Sequence, residues 1–254
     1  MSDPLKRIAI IAKRVGTDIL KFNTFEKEIR ICIYEEITNG RKLTEIINQQ
    51  HENIKYLPGH KLPHNVIAYL DVVETVKDAD ILLFVIPHQF IERICNAIKS
   101  HIIVFIYLLE FLSNIACEVA EGTFCEATVG SRNYEHGQLV KSLIQTNELR
   151  IIIKPDKEVI EVLGALENIV ALAAGFSDGL GYGNNTKAAV IRLGLKEMVK
   201  FCEEFFPAHH PEIFLKSCGV ADLVTTCYGG HDCKAAVAFV KTGKDIKTLE
   251  KINA

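Results

Sequence analysis

An uninterrupted apolar run at residues 81–86 restricts the fold of this chain more than any other feature. Asp80 precedes the run and Pro87 ends it. A short apolar run bounded by turn signals is typical of a central strand in a parallel sheet, because both faces of such a strand are buried. Apolar residues then recur at helical spacing, at positions 90, 91, 94 and 98. The run is therefore predicted to be a strand that leads directly into a helix.

The first part of the chain alternates further apolar runs with helical patterns, which favours a doubly wound parallel sheet. Strands are predicted at residues 8–11, 29–34, 102–108 and 125–129. After about Lys154 the pattern changes to long helices, predicted at residues 159–174, 185–206, 213–224 and 233–240. The prediction is an α/β chain, with the sheet in residues 1–154 and an all-α second domain in residues 155–254.

The composition excludes several classes of protein. The formal net charge is −3 at pH 7 and no long block of like charges occurs, so we expect neither nucleic acid nor membrane as a partner. The first residues lack the apolar core of a signal peptide, and the most apolar stretch, residues 102–109, is too short to span a bilayer. Eight cysteines are scattered without zinc-site spacing. These features predict a cytoplasmic protein with free thiols and no metal.

The turn after the first predicted strand is where a doubly wound sheet of this class binds a pyrophosphate. A dinucleotide site needs three glycines there, in the pattern G-x-G-x-x-G. The chain has Ala12-Lys13-Arg14-Val15-Gly16, so only one glycine is present. The side chain of Arg14 occupies the position where the backbone must approach the phosphates. Spacing alone therefore favours an ordinary strand-to-helix turn.

Three further positions each allow a functional and a structural interpretation. Phe90, beyond the carboxyl end of the predicted central strand, could stack on a flat ring or pack on the next helical turn. Lys187 and Arg192 follow a predicted helix start, where they either line a phosphate site or form a solvated face; the solvated face is favoured. Asp222 and Thr226 are one helical turn apart. They could orient a substrate alcohol, or they could form a capping pair.

Six segments spread over nearly the whole chain carry a specific combination of motifs, among them the P-H-Q-F turn. They are residues 42–48, 56–63, 80–90, 175–192, 217–223 and 227–230. These segments resemble the cytosolic NAD-dependent glycerol-3-phosphate dehydrogenase family. The resemblance implies a Rossmann-type domain, a helical substrate domain, NAD as cofactor and a homodimer in the cytoplasm. It also implies interconversion of dihydroxyacetone phosphate and NADH with glycerol 3-phosphate and NAD.

The resemblance assigns roles to individual residues. Phe90 falls where the family places an aromatic side chain beside the cofactor, and Tyr34 replaces a phenylalanine at the end of the second strand. Gly16, the third glycine of the fingerprint, and Ala116 match two further cofactor contacts. The residues that match the active-site set are Asn168, Asp222 and Thr226.

The chain departs from the family at residues that carry the chemistry. Glu167 occupies the position of the catalytic lysine, and His231 and Asp232 replace the arginine and asparagine that bind the substrate phosphate. Residues 100–113 replace a longer family segment that carries a second, substrate-binding lysine. The chain also ends before the last helices of the family, so we expect a truncated second domain.

These departures leave three hypotheses. The first is a dehydrogenase of this type with weak turnover, the second a catalytically inactive relative that still binds a nucleotide or a subunit, and the third a chain too altered to fold stably. An ionised Glu167 would repel the nascent alkoxide, by about 4 kcal/mol for unit charges about 4 Å apart at a dielectric constant near 20. A protonated Glu167 could still donate its proton, but that requires a raised pKa.

Overall fold

The computed structural model describes residues 6–12, 25–86, 90–101, 105–107 and 116–244. The chain divides into two compact units. The first contains residues 1–110 and 116–123, and the second contains residues 111–115 and 124–254. The predictions for Gly16, for Arg14 and for residues 87–89 concern positions outside the described residues.

The first unit contains a parallel sheet. Its strands are β1 (Lys6–Ala12), β2 (Phe25–Cys32), β5 (Val66–Tyr69), β6 (Ile81–Val85) and β7 (Phe105–Tyr107). They lie in the order β5-β2-β1-β6-β7, and every adjacent pair is parallel, which confirms the predicted sheet. The sequence pattern does not predict β5, nor the short antiparallel pair β3 (Ile37–Thr38) and β4 (Arg41–Lys42).

The apolar run at residues 81–86 forms the buried strand β6, as predicted. Residues 81–84 are at most 1% exposed. Strand β6 pairs with β1 in a register that sets Ala12 opposite Val85. The carboxyl ends of these two strands therefore lie side by side, and the exposed Val85 marks the edge of the sheet where a ligand would approach.

Four helices accompany the sheet in the described part of the first unit: α1 (Leu43–Gln50), α2 (Val72–Val76), α3 (Ile91–Ile98) and α4 (Ala116–Ala120). Asp71 begins α2 as its N-cap, because its carboxylate accepts hydrogen bonds from two backbone N–H groups of the first turn, at 2.7 and 3.1 Å. Val76 and Ile98 pack with Leu82 and Phe84 in one core cluster. This cluster fixes α2 and α3 against β6.

The second unit begins with two parallel strands and a helix and continues with long helices. Its elements are β8 (Cys125–Gly130), α5 (Tyr134–Ile144), β9 (Leu149–Lys154), α6 (Lys157–Gly179), α7 (Asn184–Phe205), α8 (Asp222–Gly229) and α9 (His231–Thr242). A 3₁₀ turn (Pro211–Leu215) and an irregular turn (Ser217–Ala221) precede α8. Strands β8 and β9 pair with each other, and β8 contacts α6, so residues 125–154 belong to this unit. The sequence pattern instead predicted a boundary at residue 154 and an all-α second domain.

Helix α6 is the centre of the second unit. It packs against α7, α8 and α9, and its apolar residues Leu163, Ala171 and Ala174 are fully buried. Gly175 allows close approach to α9, since a Cβ there would collide with the carbonyl oxygen of Cys233. By length and composition α6 could also cross a membrane; here three helices pack on it.

Candidate active site

Three side chains that the sequence assigns to the active site meet in the second unit. Glu167 lies in the middle of α6, and Asp222 and Thr226 lie one turn apart on α8. The Thr226 hydroxyl is 3.4 Å from Glu167 Oε1 and 3.4 Å from Asp222 Oδ1. Since a hydroxyl carries one proton, Thr226 can donate to only one carboxyl oxygen at a time. Thr226 therefore cannot satisfy both carboxyl groups at once.

The carboxyl group of Glu167 is held in its neutral form. The residue is 4% exposed, and Oε2 has no hydrogen-bond partner among the described residues. Burial, followed by the neighbouring charge of Asp222, raises the pKa of Glu167 to about 9. At neutral pH the site therefore carries a proton at this position but no positive charge. A Glu167 that donates a proton needs a raised pKa, and burial raises it in this direction.

The other matched residues lie near the cluster in sequence but have their own surroundings. The Asn168 amide donates to the Gly164 carbonyl at 2.9 Å, so its nitrogen is engaged by the backbone of α6. His231 and Asp232 are the first two residues of α9, immediately after Gly230. Gly230 packs against Thr226, because a Cβ there would collide with the Thr226 carbonyl oxygen. His231 and Asp232 thus lie at the N-terminus of α9, where the helix dipole favours an anion.

A buried lysine lies in the same unit, and it corrects one prediction. Lys187 is 4% exposed; its Nζ is 2.6 Å from Asp178 Oδ2 and 4.2 Å from the centre of the Tyr228 ring. Burial lowers the pKa of Lys187, but the hydrogen bond to Asp178 and nearby negative groups outweigh it, and the net pKa is raised. The solvated face predicted for Lys187 is wrong, whereas Arg192 is exposed. The ion pair joins the end of α6 to the start of α7. The contact of Lys187 with the Tyr228 ring adds the last turn of α8.

We expect Lys187→Met to lower the free energy of unfolding by about 2–4 kcal/mol. Breaking a buried ion pair costs about 3–5 kcal/mol, and the partial exposure of Asp178 places this pair toward the lower end. Urea denaturation measures the change. Lys200→Met is the matched control on α7, because its pair with Glu197 is exposed and worth under about 1 kcal/mol. Equal effects of the two substitutions would contradict this role for Lys187.

The cofactor-side residues lie in the first unit. Tyr34, two residues beyond β2, is 77% exposed, and Phe90, just before α3, is 42% exposed. Ala116 is the first residue of α4. Strands β2 and β6 flank β1 on opposite sides, and the chain order of the strands reverses at β1. An exposed aromatic residue follows each of the two flanking strands. Ligands of doubly wound sheets bind at this point.

The described residues fit a cofactor with flat rings at this position. An aromatic side chain exposed at this edge of the sheet is available to stack on a base or nicotinamide ring. No group of three or more His, Cys, Asp or Glu in the described part of the chain is placed to hold a metal ion. A parallel sheet of this order, followed by a helical unit with a buried polar cluster, is typical of two-domain proteins that bind a nucleotide at the carboxyl ends of the strands.

Comparison with known proteins identifies the family. Residues 8–108 match the family described as NAD-dependent glycerol-3-phosphate dehydrogenase N-terminus, and residues 156–254 match NAD-dependent glycerol-3-phosphate dehydrogenase C-terminus. The cytoplasmic NAD(+) glycerol-3-phosphate dehydrogenase of Bos taurus is 49% identical, over 95% of this chain and 78% of that protein. The Homo sapiens protein of the same description is 47% identical over the same shares.

Solved structures agree with this result. Glycerol-3-phosphate dehydrogenase GPD1 of Saccharomyces cerevisiae has a TM-score of 0.80 and 35% identity, over 98% of this chain and 85% of that chain. DsGPDH of Dunaliella salina has a TM-score of 0.89 and 31% identity, over 98% and 51%. The chain belongs to the NAD-dependent glycerol-3-phosphate dehydrogenase family, with a Rossmann-type domain and a helical domain, and NAD is the cofactor of that family.

Proposed function

We propose that this chain retains the reaction type of its family with turnover that is weak or lost. The reaction is the interconversion of dihydroxyacetone phosphate and NADH with glycerol 3-phosphate and NAD. The observation that carries the proposal is the burial of Glu167, which is 4% exposed against Asp222 and Thr226 at the lysine position. A lysine there would bring a positive charge to the substrate oxygen, whereas this carboxyl group brings only a proton.

We assign binding and proton supply to residues of both units and to Gly16, which lies outside the described residues. When bound, NAD exchanges a hydride with the substrate carbon, and we assign its contacts to Tyr34, Phe90, Ala116 and Gly16. In the cluster with Asp222 and Thr226, burial raises the pKa of Glu167, so we assign the proton of the site to Glu167. General acid help is worth about 10²–10⁴-fold, but a neutral acid contributes little of the charge stabilisation that an ammonium gives to an alkoxide.

The remaining parts of the substrate site are also weaker. A bidentate arginine on a phosphate contributes hydrogen bonds worth about 1.5–3 kcal/mol each. We assign substrate phosphate binding to His231 and Asp232 at the start of α9, where a protonated His231 would take the place of the family's arginine. Weak phosphate binding and a neutral proton donor lower the stability of the same transition state, so turnover falls further than either change alone implies.

A second candidate function is binding without catalysis. In this candidate the chain holds a nucleotide, or pairs with a subunit of its own kind, and Glu167 makes the substrate site inactive. The exposure of Tyr34 and Phe90 favours nucleotide binding, because both side chains are available at the carboxyl ends of the strands beside β1. We also propose a homodimer in the cytoplasm, following the cytoplasmic relatives.

The first experiment follows NADH absorbance with purified protein and dihydroxyacetone phosphate. The dehydrogenase candidate predicts a slow rate above the buffer blank that depends on substrate; a rate equal to the blank, together with NADH binding, leaves the binding candidate. Light scattering tests the homodimer. A sharp calorimetric transition would exclude a chain that is too altered to fold stably.

NADH is expected to raise the melting temperature by several degrees. A ligand at about 100 times its Kd adds about 2.7 kcal/mol to the free energy of unfolding, and about 1 kcal/mol shifts a chain of this size by about 2–4 °C. Replacing Tyr34 and Phe90 together with Ala should remove most of this shift. Phe124→Ala, at a 66% exposed aromatic residue of the second unit, is the control that should keep it. An unchanged shift in the double variant would refute the assigned contacts.

A further inference from the structure

A groove of about 580 Å³ in the second unit lies apart from the cluster at Glu167. One wall is a face of α5, where Tyr134, Gln138 and Lys141 follow each other at helical spacing. The other wall is β9, of which residues 150–154 all line the groove. Successive side chains of a strand point to opposite faces. A groove that contacts every residue in turn therefore runs along the edge of the strand.

The lining of this groove is strongly basic. Its charged side chains are Arg132, Lys141, Arg150, Lys154 and Lys216, and no carboxylate is among the lining residues. Three glutamates outside the lining, Glu126, Glu158 and Glu212, form ion pairs with four of these side chains. The arginine pairs are exposed, so a ligand that presents several carboxylates can compete with them at little cost.

Strand β9 directs backbone groups of alternate residues toward the edge that faces away from β8. In a parallel pair, alternate residues direct both N–H and C=O to the same neighbour. Glu148 and Lys154 direct their carbonyls toward the β8 side, so Ile151 and Ile153 direct theirs to the opposite edge. There the Ile151 N–H donates to Gln145 Oε1 at 3.2 Å. Among the described residues, the Ile151 carbonyl and both backbone groups of Ile153 have no hydrogen-bond partner.

The outer strand of the first unit shows what a closed edge looks like. On β5, the Ala68 N–H donates to Asn48 Oδ1 at 2.7 Å, and the Asn48 amide donates to the Ala68 carbonyl at 2.9 Å. That side chain satisfies both backbone groups. Strand β9 has Gln145 as a partner for one N–H group, but the part of the chain that the structure describes offers no equivalent for Ile153.

We propose that the groove between α5 and β9 binds an acidic peptide segment in extended conformation, which adds a strand to the edge of β9. Strand addition supplies main-chain hydrogen bonds, and the basic side chains on both sides supply charge complementarity. A small anion would use the charges but would leave the Ile153 backbone groups unpaired. Pro155 ends the edge, so pairing is confined to a few residues.

The test uses the full chain and a fluorescent peptide of alternating Glu and Val, about eight residues long, measured by anisotropy. We expect binding that weakens with ionic strength and falls at least about tenfold in Lys141→Glu with Lys216→Glu. Lys200→Glu, an exposed charge reversal on α7, is the control that should leave binding unchanged. Thermal melts of each variant exclude loss of folding as the cause.

Backbone pairing is tested separately from charge. Two further peptides of the same sequence carry N-methyl groups on alternate residues, one on the odd set and one on the even set. Because only one set of N–H groups can face β9, one of these peptides should lose binding and the other should keep most of it. Equal binding of both peptides, binding by inorganic tripolyphosphate that matches the parent peptide, or no peptide binding would each overturn the proposal.

Discussion

Glu167→Lys is expected to raise the rate of NADH oxidation with dihydroxyacetone phosphate by about 10²–10³-fold, the contribution of one group that stabilises the charge of the transition state. The substitution restores a cation at a position where the present side chain supplies a proton without charge. Asp222 and the Thr226 hydroxyl are already placed within reach of this position. The carboxylate of Asp222 would favour the charged form of the new amine, which opposes the cost of burying it. We expect the gain in kcat rather than in KM, because the residues at the phosphate position are unchanged.

Two controls separate the cation from other consequences of the substitution. Glu167→Met removes the proton donor without supplying an ammonium, so it should lower the rate below that of the unmodified chain. Glu197→Lys places a lysine at an exposed position of α7 instead, and it should leave the rate unchanged. A Glu167→Lys variant that still binds NADH but turns over no faster would show that the lost cation is not the limiting defect. In that case His231, Asp232 or the altered segment at residues 100–113 carries it.

The sheet was predictable because its strongest signal is local. Residues 81–86 form a continuous apolar run, and they become a buried strand with nearly the predicted bounds. Strand β5 is four residues long, and its role as an outer strand depends on pairing with β2 and on the Asn48 side chain. Such partners come from distant parts of the chain, so periodicity in a window does not reveal them.

The candidate site was predictable only in part. The spacing of Asp222 and Thr226 places them on one helix face, and the structure does so. Nothing in the spacing joins them to Glu167, which reaches the cluster only through the packing of α6 on α8. The burial of Lys187 was missed for the same reason. Its partner Asp178 lies beyond a break between two helices, and Tyr228 is on a third helix.

Proton uptake at Glu167 on folding gives a second large effect, which Glu167→Gln should reveal. The folded protein holds this proton up to pH about 9, whereas an unfolded chain releases it near pH 4.5. Between these values the unfolded state binds fewer protons, so the free energy of unfolding falls as pH rises, by about 1.4 kcal/mol per pH unit. Gln keeps the shape and one donor but does not titrate. The variant should therefore match the unmodified chain near pH 5 and exceed it by several kcal/mol near pH 9.

Urea denaturation of both proteins at several pH values across this window measures the difference directly. Glu197→Gln, at an exposed glutamate of α7, should follow the unmodified chain at every pH. Because Asp222 shares the cluster, Asp222→Asn should also flatten the profile: with that charge gone, less opposes ionisation of Glu167. Profiles that stay parallel in Glu167→Gln and the unmodified chain would mean that Glu167 ionises at its ordinary pKa. The cluster would then contain two carboxylates, and the neutral proton donor at the lysine position would have to be abandoned.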